Sequence, residues 1–286
     1  MDQRIIELYD EFTHTQLGRR AFMERLVGLV GSVAAAEAAI QAIAPNFAKA
    51  AIIAENDARI ETSAYENAAS GIKGYLAAPK GMKAENAGNF AIVIHENRGL
   101  NPHIQDVARR AAVEGFVAMA PDLLVPLGGT PKDEDQAREM FPKLNLDQTG
   151  DALAKLVSDL KARNPRAKIF AMGFCWGGGM VNILATKAPN LDAAASYYGV
   201  APKIEEAGKI KAQMMLHLGA LDDRVNATIP PYEEALKKAG VKYEVFRYEG
   251  ANHAFNNDTA AERYHKASAD LAWSRTIAMF KAKLAS

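Results

Sequence analysis

From Phe90 onward the chain alternates short, nearly uninterrupted apolar runs with segments of helical spacing, and no other feature restricts the fold as much. The runs are Phe90–Glu96, Phe116–Asp122, Lys168–Phe174, Asp192–Tyr198, Gln213–Leu218 and Tyr243–Tyr248. Helical patterns over Pro102–Glu114, Asp147–Arg163, Trp176–Thr186, Pro231–Ala239 and Ala260–Leu284 separate or follow them. A strand apolar along its whole length is buried on both faces, and strands that alternate with helices pair in parallel beneath two helical layers. Upstream, Ala58–Tyr65 and Gly71–Ala78 have strand composition around an Asn/Ala/Ser/Gly turn and predict an opening hairpin. The expectation is a mostly parallel sheet of about eight strands with helices on both faces, forming one α/β domain over residues 57–286 of the 286.

Residues 1–56 stand apart as a helical extension. There Arg19 and Arg20 precede an apolar run from Leu26 to Ala36, and Ala48-Lys49-Ala50 follows downstream, an arrangement similar to a twin-arginine export signal. Glu24 and Glu37 interrupt that pattern, while Phe22, Leu26, Leu29, Val33, Ile40, Ile43 and Phe47 fall near the spacing of a helix docked on a domain. A folded extension in the cytoplasm is the favoured reading, and periplasmic export is the alternative. The uncharged stretch Ile169–Thr186 has nearly the length of a membrane span, but Gly173, Gly177, Gly178 and Gly179 divide it into strand, turn and helix. No stable membrane insertion is therefore expected. Lys+Arg and Asp+Glu balance at 34 each, which gives no general attraction to nucleic acid and favours a small-molecule partner, with the oligomeric state open.

In open α/β sheets ligands bind beyond the carboxyl ends of the strands, so chemistry is sought at Glu96, Asp122, Cys175, Gly199, Asp222 and His253. Cys175, the sole cysteine, sits in Gly173-Phe174-Cys175-Trp176-Gly177 at a strand-to-helix junction. This is the cysteine form of the G-x-S-x-G nucleophile elbow, a turn so tight that side chains two positions either way collide. The start of the following helix would stabilise a thiolate and an oxyanion. An acid and then a histidine follow in chain order: Asp222, or its neighbour Asp223, in LGALDDRVN, and His253 in YEGANHAF. Asp122 reads as a turn or cap residue, His14, His103 and His265 as surface residues, and His95 and His217 as core histidines. Phe174, Trp176, Tyr198, Phe255 and Trp273 are candidate pocket walls. No metal site is expected, because HENRG lacks the second histidine of H-E-x-x-H, and GGGMVN lacks the third glycine of a dinucleotide loop.

VIHENRGL, APDLL, GFCWGGG, LGALDDRVN and YEGANHAFNND, in that order, resemble the dienelactone hydrolase family (carboxymethylenebutenolidases) of α/β-hydrolases, over roughly Ile60 to Leu284. The resemblance implies an α/β-hydrolase fold and cofactor-free hydrolysis of small carboxylic esters or lactones through an acyl-enzyme. It implies a triad of Cys175, His253 and Asp222, with Glu96 hydrogen-bonding the resting thiol and the backbone N–H groups of Asn97 and Trp176 holding the oxyanion. Such enzymes grip the substrate carboxylate with arginines, one of them four residues after the histidine, where this chain has Asn257. Arg98 or Arg224 is the expected replacement, with Tyr198 and Phe255 also contacting substrate. The rival reading is a non-catalytic or redox-sensing ligand-binding protein in which Cys175 is an oxidisable thiol.

Overall fold

The opening hairpin and the apolar runs become the strands of one sheet in the computed structural model, which describes residues 1–46, 51–82 and 88–285. They are β1 (Ile60–Asn67), β2 (Ile72–Pro79), β3 (Asn89–Ile94), β4 (Val117–Pro121), β5 (Lys168–Phe174), β6 (Ala193–Tyr197), β7 (Gln213–Gly219) and β8 (Tyr243–Tyr248). Their order across the sheet is β1-β2-β4-β3-β5-β6-β7-β8. Only the β1–β2 and β2–β4 pairings are antiparallel. The chain leaves β3 for β4 on one side and returns to β5 on the other, which opens a crevice at the strand ends where ligands bind. Ile94 is in register with Gly173, so the segment after β3 lies beside the turn after β5.

Among the described residues three α-helices precede the sheet: α1 (Gln3–His14), α2 (Arg19–Val30) and α3 (Val33–Ile43). The others are α4 (Pro102–Val113), α5 (Glu134–Met140), α6 (Leu146–Arg163), α7 (Trp176–Lys187), α8 (Asp223–Asn226), α9 (Ile229–Lys238) and α10 (Lys266–Ala282). One face of the sheet is covered by α6, α7 and α9, whose Leu153, Leu156, Val157, Val181, Leu184, Tyr232 and Leu236 are buried in one cluster. The opposite face is covered by α4 and α10, with the Phe280 ring stacked on Phe170 at 4.6 Å. Each such side chain contributes roughly 1.5–3 kcal/mol on burial, so the two layers hold the sheet between them.

Two helical expectations change. The last helix begins at Lys266, not Ala260, because Tyr264 N–H and Arg263 N–H both donate to the Ala260 carbonyl and close a turn first. In the extension, the spacing from Phe22 to Phe47 predicts one helix, but the chain bends by 105° between α2 and α3. Gly31 adopts φ +88° and Ser32 Oγ accepts from Ala35 N–H, so one helix is stopped and the next is capped. Leu29 and Val33 consequently face solvent, while Phe22, Leu26, Ala36 and Ile43 pack with Ile6, Leu8, Tyr9 and Phe12 of α1. Phe47 and Ala48-Lys49-Ala50 lie outside the described residues. Among the described residues no single helix is long and apolar enough to cross a membrane, and only the bent pair α2 and α3 together reaches that length and composition.

Candidate active site

Cys175 occupies the turn between β5 and α7 with φ +56° and ψ −117°, outside the ordinary regions for a residue with a Cβ. The flanking glycines make that turn possible. A Cβ at Gly173 would lie 2.2 Å from the Gly177 carbonyl oxygen, and one at Gly177 would lie 2.4 Å from the carbonyl oxygens of Ile94 and His95. The second approach lets β3 and the start of α7 sit close together, and Asn97, Cys175 and Trp176 line one cavity. Trp176 opens α7, so its N–H has no carbonyl partner within the helix.

His253 follows β8 and is buried, with Nδ1 2.6 Å from Asp222 Oδ2. Of the two adjacent acids it is therefore Asp222 that reaches the imidazole, while Asp223 starts α8. The carboxylate marks Nδ1 as the protonated nitrogen and leaves Nε2 as the acceptor. That Nε2 is buried and makes no hydrogen bond among the described residues.

The group in contact with the thiol is His14. Its Nε2 lies 3.0 Å from Cys175 Sγ. The sequence placed this histidine on the surface, but α1 lies across the strand ends and its last residue enters the site. Cys175 Sγ and one ring nitrogen each from His14 and His253 lie within 4.8 Å of one another, and the two rings meet edge to face at 4.6 Å. Among the described residues this is the grouping with spacing for a metal ion. The 3.0 Å contact is that of a direct hydrogen bond. Two ligands of one tetrahedral zinc, with bonds of about 2.0 and 2.3 Å, would stand roughly 3.5 Å apart.

Asp10, one turn before His14 on α1, holds the far side of its ring: Oδ1 is 3.0 Å from Nδ1. Arg224 Nε in turn lies 3.1 Å from Asp10 Oδ2. Burial opposes charge on His14, but the Cys175 sulfur and the Asp10 carboxylate outweigh it and raise its pKa from the ordinary histidine value. Burial likewise opposes ionisation of Asp10, yet His253, His14 and Arg224 hold its carboxyl far below the usual range.

Glu96 is not in hydrogen-bond contact with the thiol. Its Oε2 accepts from Asn257 Nδ2 at 2.8 Å and its Oε1 from the Tyr198 hydroxyl at 3.4 Å. Asn257 is fully buried and positions Glu96. Asn97 donates from its side chain to the Thr13 carbonyl at 2.8 Å, tying the loop after β3 to α1.

A cavity of about 720 Å³ opens at the sulfur, bounded by Asn97, Trp176, Tyr198 and Arg224 on the sheet side and by the turn after His14 on the other. This is the size range of small-ligand sites. Arg224 lines it, whereas Arg98 is engaged elsewhere, by the Tyr9 hydroxyl at 3.3 Å and the Glu134 carbonyl at 3.2 Å. Phe255 is fully buried among core rings, 5.3 Å from Tyr198 and 5.1 Å from Tyr248, so it backs the site without lining the cavity. Phe174 is also core.

The remaining histidines divide cleanly. His95 is buried, with Nδ1 2.8 Å from the Glu96 carbonyl and Nε2 accepting from Leu123 N–H, and burial lowers its pKa. His217 is buried between Tyr248 and Thr276, and burial together with Arg275 pushes it down to about 3. His103, expected on the surface, is fully buried with Nδ1 3.0 Å from Asp258 Oδ1, because α4 lies beneath the loop that follows His253. His265 is half-buried at the start of α10, bonded to Ser268 Oγ. Asp122 is a turn residue, accepting from Leu124 N–H and Thr130 N–H. The spacing Asp10-x-x-x-His14, a carboxylate and an imidazole one helical turn apart, was the one local sign of the paired side chains.

A cysteine raised on a strand-to-helix elbow, with an acid and a histidine on loops after later strands of a mostly parallel sheet, defines the α/β-hydrolase class. The profile described as "Dienelactone hydrolase family" matches residues 72–284. The chain belongs to the dienelactone hydrolase family and is a hydrolase of that type. It is 33% identical over 241 residues to a "Putative carboxymethylenebutenolidase" of Synechocystis sp., covering 74% of this chain and 92% of that protein. A protein of the same name from Saccharolobus solfataricus is 30% identical over 248 residues, covering 74% and 94%. Among solved structures, a "Putative Dienelactone Hydrolase" from Klebsiella pneumoniae superposes with a TM-score of 0.69 at 30% identity, covering 78% of this chain and 98% of that one.

Proposed function

We propose that this chain hydrolyses small carboxylic esters or lactones through an acyl-enzyme on Cys175. The observation that carries the reading is the sulfur's position: it sits on a strained elbow at the floor of a cavity of about 720 Å³, beside an imidazole held by Asp222. Cys175 attacks the carbonyl carbon, and the backbone N–H groups of Asn97 and Trp176 hold the oxyanion that forms. Expulsion of the alkoxide leaves a thioester, which water then cleaves. His253, oriented by Asp222, serves as a general base, because its free Nε2 is the acceptor the carboxylate leaves available. Arg224 is the guanidinium placed to meet a substrate anion. Membership of the dienelactone hydrolase family and the name carried by the relatives support this substrate class.

The test is hydrolysis of p-nitrophenyl acetate by the wild type and by Cys175→Ala, with mass spectrometry of the quenched enzyme. The expected result is an acetyl group on Cys175 and a loss of roughly 10³-fold or more in the variant. Equal rates in the two proteins would remove the cysteine from the reaction.

A further inference from the structure

We infer that His14, carried by the N-terminal helix, is a second catalytic base, placed by its contact with Cys175 to take the thiol proton and start acylation, which leaves His253 and Asp222 to activate the deacylating water. The inference deepens the proposed function and rests on it.

Three observations assign the roles. The first is contact: His14 Nε2 is 3.0 Å from Sγ, whereas His253 Nε2 makes no hydrogen bond among the described residues. The second is tautomer. His14 Nδ1 faces only oxygens, the Asp10 carbonyl at 2.8 Å, Asp10 Oδ1 at 3.0 Å and Thr13 Oγ1 at 3.0 Å, so this nitrogen carries the proton. Nε2 is then the basic lone pair, directed at the thiol. The third is the carboxylate alternative: Glu96 is held by Asn257 and Tyr198. Beside the sulfur, a void of about 10 Å³, close to the room one water molecule needs, is bordered by His14, Glu96, Cys175, His253 and Arg263, so a water there reaches His253.

Other charges surround the pair from every side. Asp10 lies on the same helix, Asp222 and Arg224 follow β7, His253 follows β8, and Glu96 and Arg98 follow β3. The Asp10 carboxylate behind the His14 ring favours its protonated form, through which that base passes during turnover.

The protons balance. His14 Nε2 takes the proton from Sγ–H, and the thiolate forms the S–C bond as the carbonyl electron pair moves onto oxygen. The oxyanion collapses, the C–O bond breaks, and the leaving alkoxide takes the proton from His14. His253 Nε2 then accepts a proton from water as hydroxide adds to the thioester. Collapse breaks the S–C bond and expels thiolate. The His253 proton passes to the thiolate and restores the Sγ–H that hydrogen-bonds His14, and the carboxylic acid releases its own proton to solvent.

The experiment uses the full chain with His14→Gln, Asp10→Asn and His253→Gln. Iodoacetamide alkylation of Cys175 reads the thiolate without any ester, and rapid-quench kinetics with p-nitrophenyl acetate separate acylation from deacylation. The expected result for His14→Gln is a fall of about 10²-fold or more in both alkylation and burst rate. Asp10→Asn moves both the same way by less, with an unchanged near-UV circular dichroism spectrum excluding a packing effect. His253→Gln keeps the burst and accumulates acetylated enzyme. Wild-type alkylation and burst rates in His14→Gln, or loss of the burst in His253→Gln alone, would overturn the inference. Neither outcome touches the ester reading, which fails only if Cys175→Ala remains active.

Discussion

The sheet and the N-terminal helices both bury apolar residues, but they are held in place by different forces. Across the sheet, two continuous layers of aliphatic and aromatic side chains exclude water on both faces, and strands such as β5 and β7 are buried along nearly all their length. The helical cap closes a small core of its own around Tyr9, Phe12, Phe22 and Leu26, with the Phe12 and Phe22 rings stacked at 4.2 Å. Its attachment to the sheet is largely polar: Asn97 to the Thr13 carbonyl, Arg138 to the Phe12 carbonyl, Arg98 to the Tyr9 hydroxyl and Arg224 to Asp10. Arg138 and Arg263 also lie over the rings of Phe12 and Tyr9, at 4.3 and 5.1 Å from the centroids. Hydrophobic layers fix the sheet whatever the salt, while a contact of charges and hydrogen bonds responds to salt and pH. The site straddles this boundary, with sulfur, Asp222 and His253 on one side and His14 and Asp10 on the other.

The largest effect that would sharpen this contrast comes from the sheet side. Gly177→Ala drives a methyl group into the main chain of β3 and its following segment, so a loss of about 3 kcal/mol or more is expected, together with most activity. Thermal denaturation and ester hydrolysis measure it, and a protein with wild-type melting and turnover would show that the elbow can relax. Asp222→Asn acts on chemistry with little change in stability: turnover should drop by roughly 10²–10⁴-fold as the His253 tautomer is lost. On the cap side, Arg138→Ala removes a hydrogen bond and a cation–π contact at once. Hydrogen exchange should quicken in α1 and α2 by the equivalent of about 1–2 kcal/mol while β5 and β7 stay protected. Equal acceleration in the strands would mean that cap and sheet open as one unit.

The smallest effects are two titrations of opposite sign. Burial opposes ionisation of Asp258, but His103 and Arg110 lower it to about 2, so the unfolded chain takes up its proton first. Its stabilisation is complete above the ordinary aspartate pKa of about 4 and is lost as pH falls toward 2. Asp258→Asn should flatten that limb of the stability curve. Glu134, beneath the cap, is raised to about 7 by burial and by Glu96, Asp135 and Asp133 against the pull of Arg98. Its folded form holds the proton more tightly, so stability declines as pH rises from about 4.5 to about 7, and Glu134→Gln should remove that slope. Denaturant midpoints across pH 2–8 record both limbs.

Much of the sheet was legible because its signals are local. Apolar runs located the strands, and the predicted hairpin appears with β1 displaced by only two residues at each end. Gly173 and Gly177 marked the elbow because only glycine tolerates the approach of a main chain at those positions. Cys175, Asp222 and His253 could be singled out from strand ends, chain order and the family resemblance. The extension was less legible. Its apolar spacing fitted one long helix, and the break at Gly31 and Ser32 turned part of that face outward. His14 lies outside the region matching the family, and no neighbouring motif tied it to a thiol 161 positions away.

By itself the sequence determined the architecture and the nucleophile's turn, since hydrophobic periodicity acts over a few residues and the glycines that a tight turn requires, such as Gly173 against the Gly177 carbonyl, are set by the local chain. Tertiary structure alone decided that Glu96 is held by Asn257, that Arg98 serves the cap, and that His14 reaches the sulfur. The first contact depends on where the loops after β3 and β8 meet, and the other two on how two separately packed regions dock. Their polar partners are chosen by angle and distance in space, which residue spacing along the chain does not encode.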